Sequence, residues 1–260
     1  MLTEVVRWDE NTNLPNYSFH YWNDKTKESG KEWNILDSDA DAEQLIRYLS
    51  KSGLKQQYLI AESLLSDQYK NSSELTLCDL ACGTGWTSAL LSRLPLIKKV
   101  YAIEFSWHRL QDLFPETCIA LNGVEEKIQR CYGSFYDLQL EDSSVDIIFM
   151  SQAFHHAEKP LSLITECERV LVPGGTVALI GEHSIGVLRL IKRHVKLFLK
   201  LRTFTPKRLS DLLPPDNILG DNYYPEFLYN FMWEQSGFSL LKSQKTDGGA
   251  SVYVYKKLPV

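Results

Sequence analysis

Two acids, a run of small residues and a group of histidines are the residues here whose types and spacing could do chemistry. Asp79-Leu80-Ala81-Cys82-Gly83-Thr84-Gly85 sets an acid ahead of small residues at alternate positions. Gly83 and Gly85 let the backbone come close to a ligand, and Ala81 is nearly as small. Glu104 lies 19 residues beyond Gly85. An acid at that distance from a glycine turn takes ribose hydroxyls in nucleotide-binding α/β folds. The second group is Ser151-Gln152-Ala153-Phe154-His155-His156, with His183 further on. An imidazole titrates near neutrality and suits a general base. Consecutive side chains are expected to diverge, so one of the pair faces the site, with His155 the first choice and His156 the other; His183 is the second candidate base. Each histidine taken singly reads first as a strand-end cap held by hydrogen bonds. A metal set of His155, His156, His183 and Glu182 matches no familiar ligand spacing, so no metal is expected.

Strands and helices must hold these groups. Thr76 to Leu80 is apolar and β-leaning, and Trp86 to Leu94 carries a helical pattern. The loop between them is thus a strand-to-helix turn, with the helix aiming free N–H groups into it. Lys99 to Ile103 is the next strand and delivers Glu104. Two ligands suit this frame, a dinucleotide or an adenosine without a pyrophosphate. A pyrophosphate site favours three glycines as G-x-G-x-x-G, and an acid in the loop would repel it. Asp79 can instead accept from an ammonium group, which favours S-adenosylmethionine (SAM).

At these residues the chain resembles the class I SAM-dependent methyltransferases. Asp79 to Gly85 is similar to the family's first motif, with Ala81 where glycine is commoner, and Glu104 matches its ribose-binding acid. Gly133-Ser134-Phe135-Tyr136-Asp137 resembles the segment along the adenine edge, with Ser134 where the family usually has Asp. Arg169-Val170-Leu171-Val172-Pro173-Gly174-Gly175 resembles the turn before the fifth strand. The resemblance spans about residues 75 to 182. It implies a cofactor site of Asp79, Ala81, Cys82, Gly83, Gly85, Glu104, Phe105, Ser134, Phe135 and Ser151, with S-adenosyl-L-homocysteine as product. Phe105, or Trp107 beside it, would pack on the adenine face. The resemblance also implies a flap, with Tyr21 or Tyr17 closing the pocket from the aromatic-rich start of the chain. A His-His pair after the fourth strand is like that of many small-molecule members. The expected activity is methyl transfer to oxygen or nitrogen of a small molecule or glycan precursor. The alternative is a SAM-binding regulatory or scaffold protein without turnover.

The expected fold is α/β, a doubly wound, seven-stranded, mostly parallel sheet with the last strand antiparallel, because Phe238–Ser243 and Ala250–Tyr255 are joined by a short turn. Residues 1–74 read as an N-terminal arm and cap helices, and 75–260 as the SAM-binding domain with a helical insertion at about 184–224. In that insertion Arg189, Lys192, Arg193, Lys196 and Lys200 form one stripe of an otherwise apolar helix. A lid with a solvated edge is the plainest reading. An anionic acceptor, or peripheral contact of 187–202 with a membrane, are sharper ones. Tyr223, Tyr224, Phe227, Phe231 and Trp233 either line the substrate cavity or pack it shut.

A chain of 260 residues, 44% hydrophobic, can bury one substantial core. A formal net charge of -5 gives no basic field, so nucleic acid is not an expected partner. The five cysteines lack metal or disulfide spacing and suit reduced core thiols in the cytoplasm. Neither the acceptor nor the oligomeric state is legible.

Overall fold

The computed structural model describes residues 2–8, 39–186, 222–246 and 249–259, together with positions 188, 191, 192, 195, 196, 198 and 199. Tyr17, Tyr21, Arg189, Arg193, Lys200 and most of the insertion lie outside the described residues. The elements in chain order are β1 (Val6–Arg7), α1 (Asp39–Lys51), α2 (Leu54–Gln68), β2 (Leu75–Leu80), α3 (Trp86–Ser92), β3 (Ile97–Glu104), α4 (Phe114–Ala120), β4 (Ile128–Tyr132), β5 (Val145–Ser151), α5 (Pro160–Val170), β6 (Leu171–His183), α6 (Glu226–Gln235), β7 (Phe238–Lys245) and β8 (Ala250–Lys257).

One eight-stranded sheet runs in the order β1-β4-β3-β2-β5-β6-β8-β7. All neighbours from β1 to β6 are parallel, and β8 is antiparallel to both β6 and β7. The sheet is the expected one with an extra edge strand. Val6 and Arg7 pair with Cys131 and Tyr132. Two residues carry no alternating pattern, so the sequence did not signal β1.

Successive strand residues point to opposite faces, and here both faces are covered. Leu77, Ile147, Phe149 and Ala178 pack beneath Leu54, Tyr58, Leu65, Ala89 and Phe114 of the helices on one side. Cys78, Ile148, Met150 and Leu179 face Ile164, Cys167, Tyr229 and Trp233 on the other. This double burial explains the near-continuous apolar run Val145–Met150.

A helix was expected from about 105 to 121. It holds a π-helical turn at Arg109–Leu113 before α4, where the Phe114 amide bonds the Arg109 carbonyl. Pro115 follows at the first turn of α4 and has no N–H to continue the ladder, so the helix widens there. The expected turn at Pro173-Gly174-Gly175 is a bulge within β6: Val145 pairs with Leu171, and Ile147 already pairs with Thr176.

The order β4-β3-β2-β5-β6 reverses direction at β2 and β5. Their carboxyl ends are level, with Leu80 beside Ile103 on one side and Met150 on the other. A ligand crevice belongs at such a switch point. The glycine loop, Glu104, Ser151–His156 and Glu182 all follow from that edge.

Candidate active site

Glu104 is buried at the end of β3, and its carboxylate fastens the loop. Oε2 accepts from the Gly83 amide at 2.9 Å, and Oε1 from the Phe105 and Ser106 amides at 3.0 Å each. The Cys82 amide also bonds the Ile103 carbonyl at 3.0 Å. A carboxylate offers about four acceptor positions, so three amides leave capacity for a ribose hydroxyl. Arg109 Nη1 stands 4.0 Å from Oε2. Arg109 was not singled out from the sequence, since only the helix after β3 brings it back over the loop.

The two loop glycines do different work. Gly83 has φ +59, and a Cβ there would meet nothing nearer than Arg109 Nη1 at 3.8 Å. Gly85 has φ +82, and its Cβ would fall 2.1 Å from Phe114 Cε2. Both were expected to admit a ligand; on the side where a Cβ would stand, Gly85 admits the Phe114 ring. Ala81 holds φ +53, a left-handed conformation that a side chain rarely takes.

Asp79 is fully buried. Its Oδ2 accepts from the Thr87 and Ser88 hydroxyls of α3 at 2.6 and 2.5 Å. Oδ1 is buried without a hydrogen-bond partner among the described residues. Burial pushes the Asp79 pKa up from 3.8 to about 6, with the Ser88 and Thr87 hydrogen bonds opposing and Glu104 adding to the rise.

Around the adenine side, Ser134 is buried and its hydroxyl accepts from the Tyr136 amide at 3.1 Å, closing a turn. Phe135 sits edge-on to Tyr136, with centroids 4.6 Å apart, inside the core of the α5–α6 face. Phe105 is half-buried beside Glu104. Trp107 is exposed and set edge-on to Tyr132 at 5.3 Å, and the Arg7 guanidinium lies over both rings. Cys82 is buried, and burial raises its thiol well above the usual range. Ser151 ends β5 with a buried hydroxyl that has no partner among the described residues.

The histidines gather on the other side of the switch point. Phe154–His156 form one tight helical turn after β5. The expected divergence of His155 and His156 is not found: the rings lie 4.2 Å apart at 52°. A helical turn separates neighbouring side chains by less than a strand does. His155 is buried, with Nδ1 2.9 Å from Glu182 Oε2. Glu182 is fully buried near the end of β6, and its Oε1 accepts from the Ala153 and Phe154 amides at 3.2 and 3.0 Å. Burial alone would raise the Glu182 pKa, but His155 by charge and hydrogen bond, with His156 and the Phe154 amide, holds it below the ordinary carboxylate value. Tyr223 stacks on His155 at 5.7 Å and meets His183 edge-on at 6.4 Å. His183 itself is exposed. Of the aromatics expected around the cavity, Tyr224 and Trp233 are core residues, and Phe227 and Phe231 point outward.

A doubly wound sheet with one antiparallel strand, and a small-residue loop tied to an acid at the switch point, defines a SAM-binding α/β domain. Residues 78–179 match the family described as a methyltransferase domain. Over that segment the chain is similar to the SAM-dependent methyltransferases, whose cofactor is SAM. It is 31% identical over 152 residues to malonyl-[acyl-carrier protein] O-methyltransferase of Methylococcus capsulatus, covering 57% of this chain and 54% of that protein. It is 28% identical over 185 residues to demethylmenaquinone methyltransferase of Lactococcus lactis, covering 68% and 70%. The chain thus spans about half of the first relative's length. In fold it is similar to a putative sarcosine dimethylglycine methyltransferase from Galdieria sulphuraria, with TM-score 0.59, 16% identity, and coverage of 90% and 95%. The residues fit SAM. The orphaned Asp79 Oδ1 is what a cationic group would satisfy, Gly83 leaves open space, and Glu104 keeps acceptor capacity.

Proposed function

We propose that this protein transfers a methyl group from SAM to oxygen or nitrogen of a small-molecule acceptor, with S-adenosyl-L-homocysteine as the second product. The observation that carries this is the Gly83–Glu104 bond at the switch point: the loop and the ribose acid are preorganised against each other. Bound SAM supplies an electrophilic methyl on a sulfonium and leaves as a thioether. The chain's own part is to hold the reactants in line and to take a proton from the acceptor. Asp79 receives the ammonium end, Glu104 the ribose, and Phe105 and Ser134 flank the adenine. His155 is the base. The relatives named for a malonyl carrier protein and for demethylmenaquinone support a small acceptor without choosing one. Five buried free cysteines favour the cytoplasm as its place of work.

Calorimetric titration with SAM and S-adenosyl-L-homocysteine tests the reading. Glu104→Gln keeps an acceptor for the loop amides and removes the charge. Both ligands should bind wild type, and the variant should bind each about tenfold or more weakly, about 1.4 kcal/mol. Wild-type protein that is folded and binds neither ligand would remove the methyl-transfer reading.

A further inference from the structure

Glu182 has every mark of a group placed for a purpose. It is a fully buried carboxylate near the end of a central strand, and it collects four contacts within one site. Its Oε1 takes the Ala153 and Phe154 amides, its Oε2 takes His155 Nδ1, and the Tyr229 hydroxyl donates to Oε2 at 3.4 Å. Burying such a charge is costly, and even an intact buried pair adds little net stability. Shape alone would be served by an apolar side chain. Perturbed, paired groups of this kind at the carboxyl edge of a sheet concentrate at functional sites.

We infer that Glu182 is the positioning residue for His155: it fixes the imidazole with the proton on Nδ1, so that Nε2 is the atom that takes the acceptor's proton. This rests on the methyl-transfer reading above. An ionised carboxylate is acceptor-only, so the nitrogen facing it must carry hydrogen. In the neutral ring the lone pair is then on Nε2. The same carboxylate holds the turn through two amides, so ring and turn are set together. Tyr223 and His156 lie against the ring and limit its rotation. As the acceptor's lone pair bonds the methyl carbon, the carbon–sulfur bond breaks with its electrons on sulfur, and the acceptor proton passes to Nε2. The imidazolium so formed is stabilised by Glu182, whose Oε2 is 2.9 Å from Nδ1. Among the described residues the titratable groups around the pair are His156 in the same turn, His183 on β6, Tyr223 and Tyr224 ahead of α6, Tyr229 within it, and Tyr253 and Tyr255 on β8.

Imidazole nitrogen NMR on the 15N-labelled full chain without ligands, from pH 5 to 9, tests this. His155→Gln identifies the His155 signals. In wild type, neutral His155 should show hydrogen on Nδ1 and a bare Nε2. In Glu182→Gln the midpoint of its titration should fall by about one pH unit or more, because the imidazolium loses its partner. His183→Gln should leave that midpoint in place. A wild-type ring with hydrogen on Nε2 overturns the inference, even if Glu182→Gln does not fold. So does an unchanged midpoint in a folded Glu182→Gln protein. SAM titration of the same wild-type sample separates the two ideas. The expected ring state without SAM binding sinks methyl transfer and the chemical use of the pair with it. SAM binding with the wrong ring state sinks the Glu182 assignment alone.

Discussion

Asp79 shows what one buried side chain can report. Its pKa is raised in the folded chain, from 3.8 to about 6, chiefly by burial. A raised folded value favours the protonated form. Its contribution to stability is therefore complete below about pH 4 and is lost as pH rises through about 6. Asp79→Asn should make the ligand-free protein more stable at pH 8, by on the order of 2–3 kcal/mol before any lost hydrogen bonding. The gain should vanish at pH 4, and thermal melts at the two pH values would show it. The same variant should bind SAM more weakly at pH 8, as the ammonium loses its counter-charge. A melt at pH 8 no higher than wild type would mean the carboxylate is better solvated than its burial implies. Asp79, Glu104 and His155 were legible in the sequence because type and local spacing mark them. Glu182 was legible only as a member of a rejected metal set, because its link to His155 spans 27 positions, with α5 and most of β6 between them. Arg109 was hidden although it stands near Glu104 in sequence, because the helical turn that swings it back over that carboxylate has no sequence mark.

The strand-to-helix loop is the element whose geometry separates structural from functional small residues. A methyl group at Gly85 meets a Phe114 ring that is itself fully buried between helices and has nowhere to go. Gly85→Ala should cost about 2–5 kcal/mol in urea unfolding, from overpacking and left-handed strain together. Gly83→Ala carries only the strain, about 1–2 kcal/mol, because space is open there. Shrinking the ring in Gly85→Ala/Phe114→Leu should return part of the loss. Equal costs for the two single variants would mean that backbone strain alone governs the loop. The elements themselves were largely readable, since α2, β2, β5 and α5 have the period that their burial demands. What was not readable had no period to offer. β1 is two residues long, and the π-helical turn depends on a proline that a helical pattern merely tolerates.

Across the whole molecule the switch point divides the labour. β2, β3 and β4 carry the loop, Glu104 and the Ser134 turn, which suit a common cofactor. β5, β6 and the segment entering α6 carry His155, Glu182 and Tyr223, which on the proposed reading serve the methyl acceptor. The domain match ends at residue 179, short of Glu182 and of the whole second half of that wall. The match takes in the glycine loop and Glu104, which is why sequence resemblance named a cofactor and left the acceptor open. The insertion leads on from that wall, and its described positions Leu188, Ile191, Val195 and Leu199 are exposed at helical spacing. Chemistry narrows the choice. A base is required only by an acceptor that still carries a proton at the reaction pH, as an alcohol, phenol, amine or carbon acid does. A carboxylate has none to lose, and it would have to sit near the charge of Glu182. Protein incubated with tritium-methyl SAM and a cell extract should therefore place label in products that survive alkali. A carboxyl methyl ester would instead give up its label as volatile methanol. Volatile label as the main product would mean that His155 and Glu182 serve the architecture of the β5 turn and not proton removal.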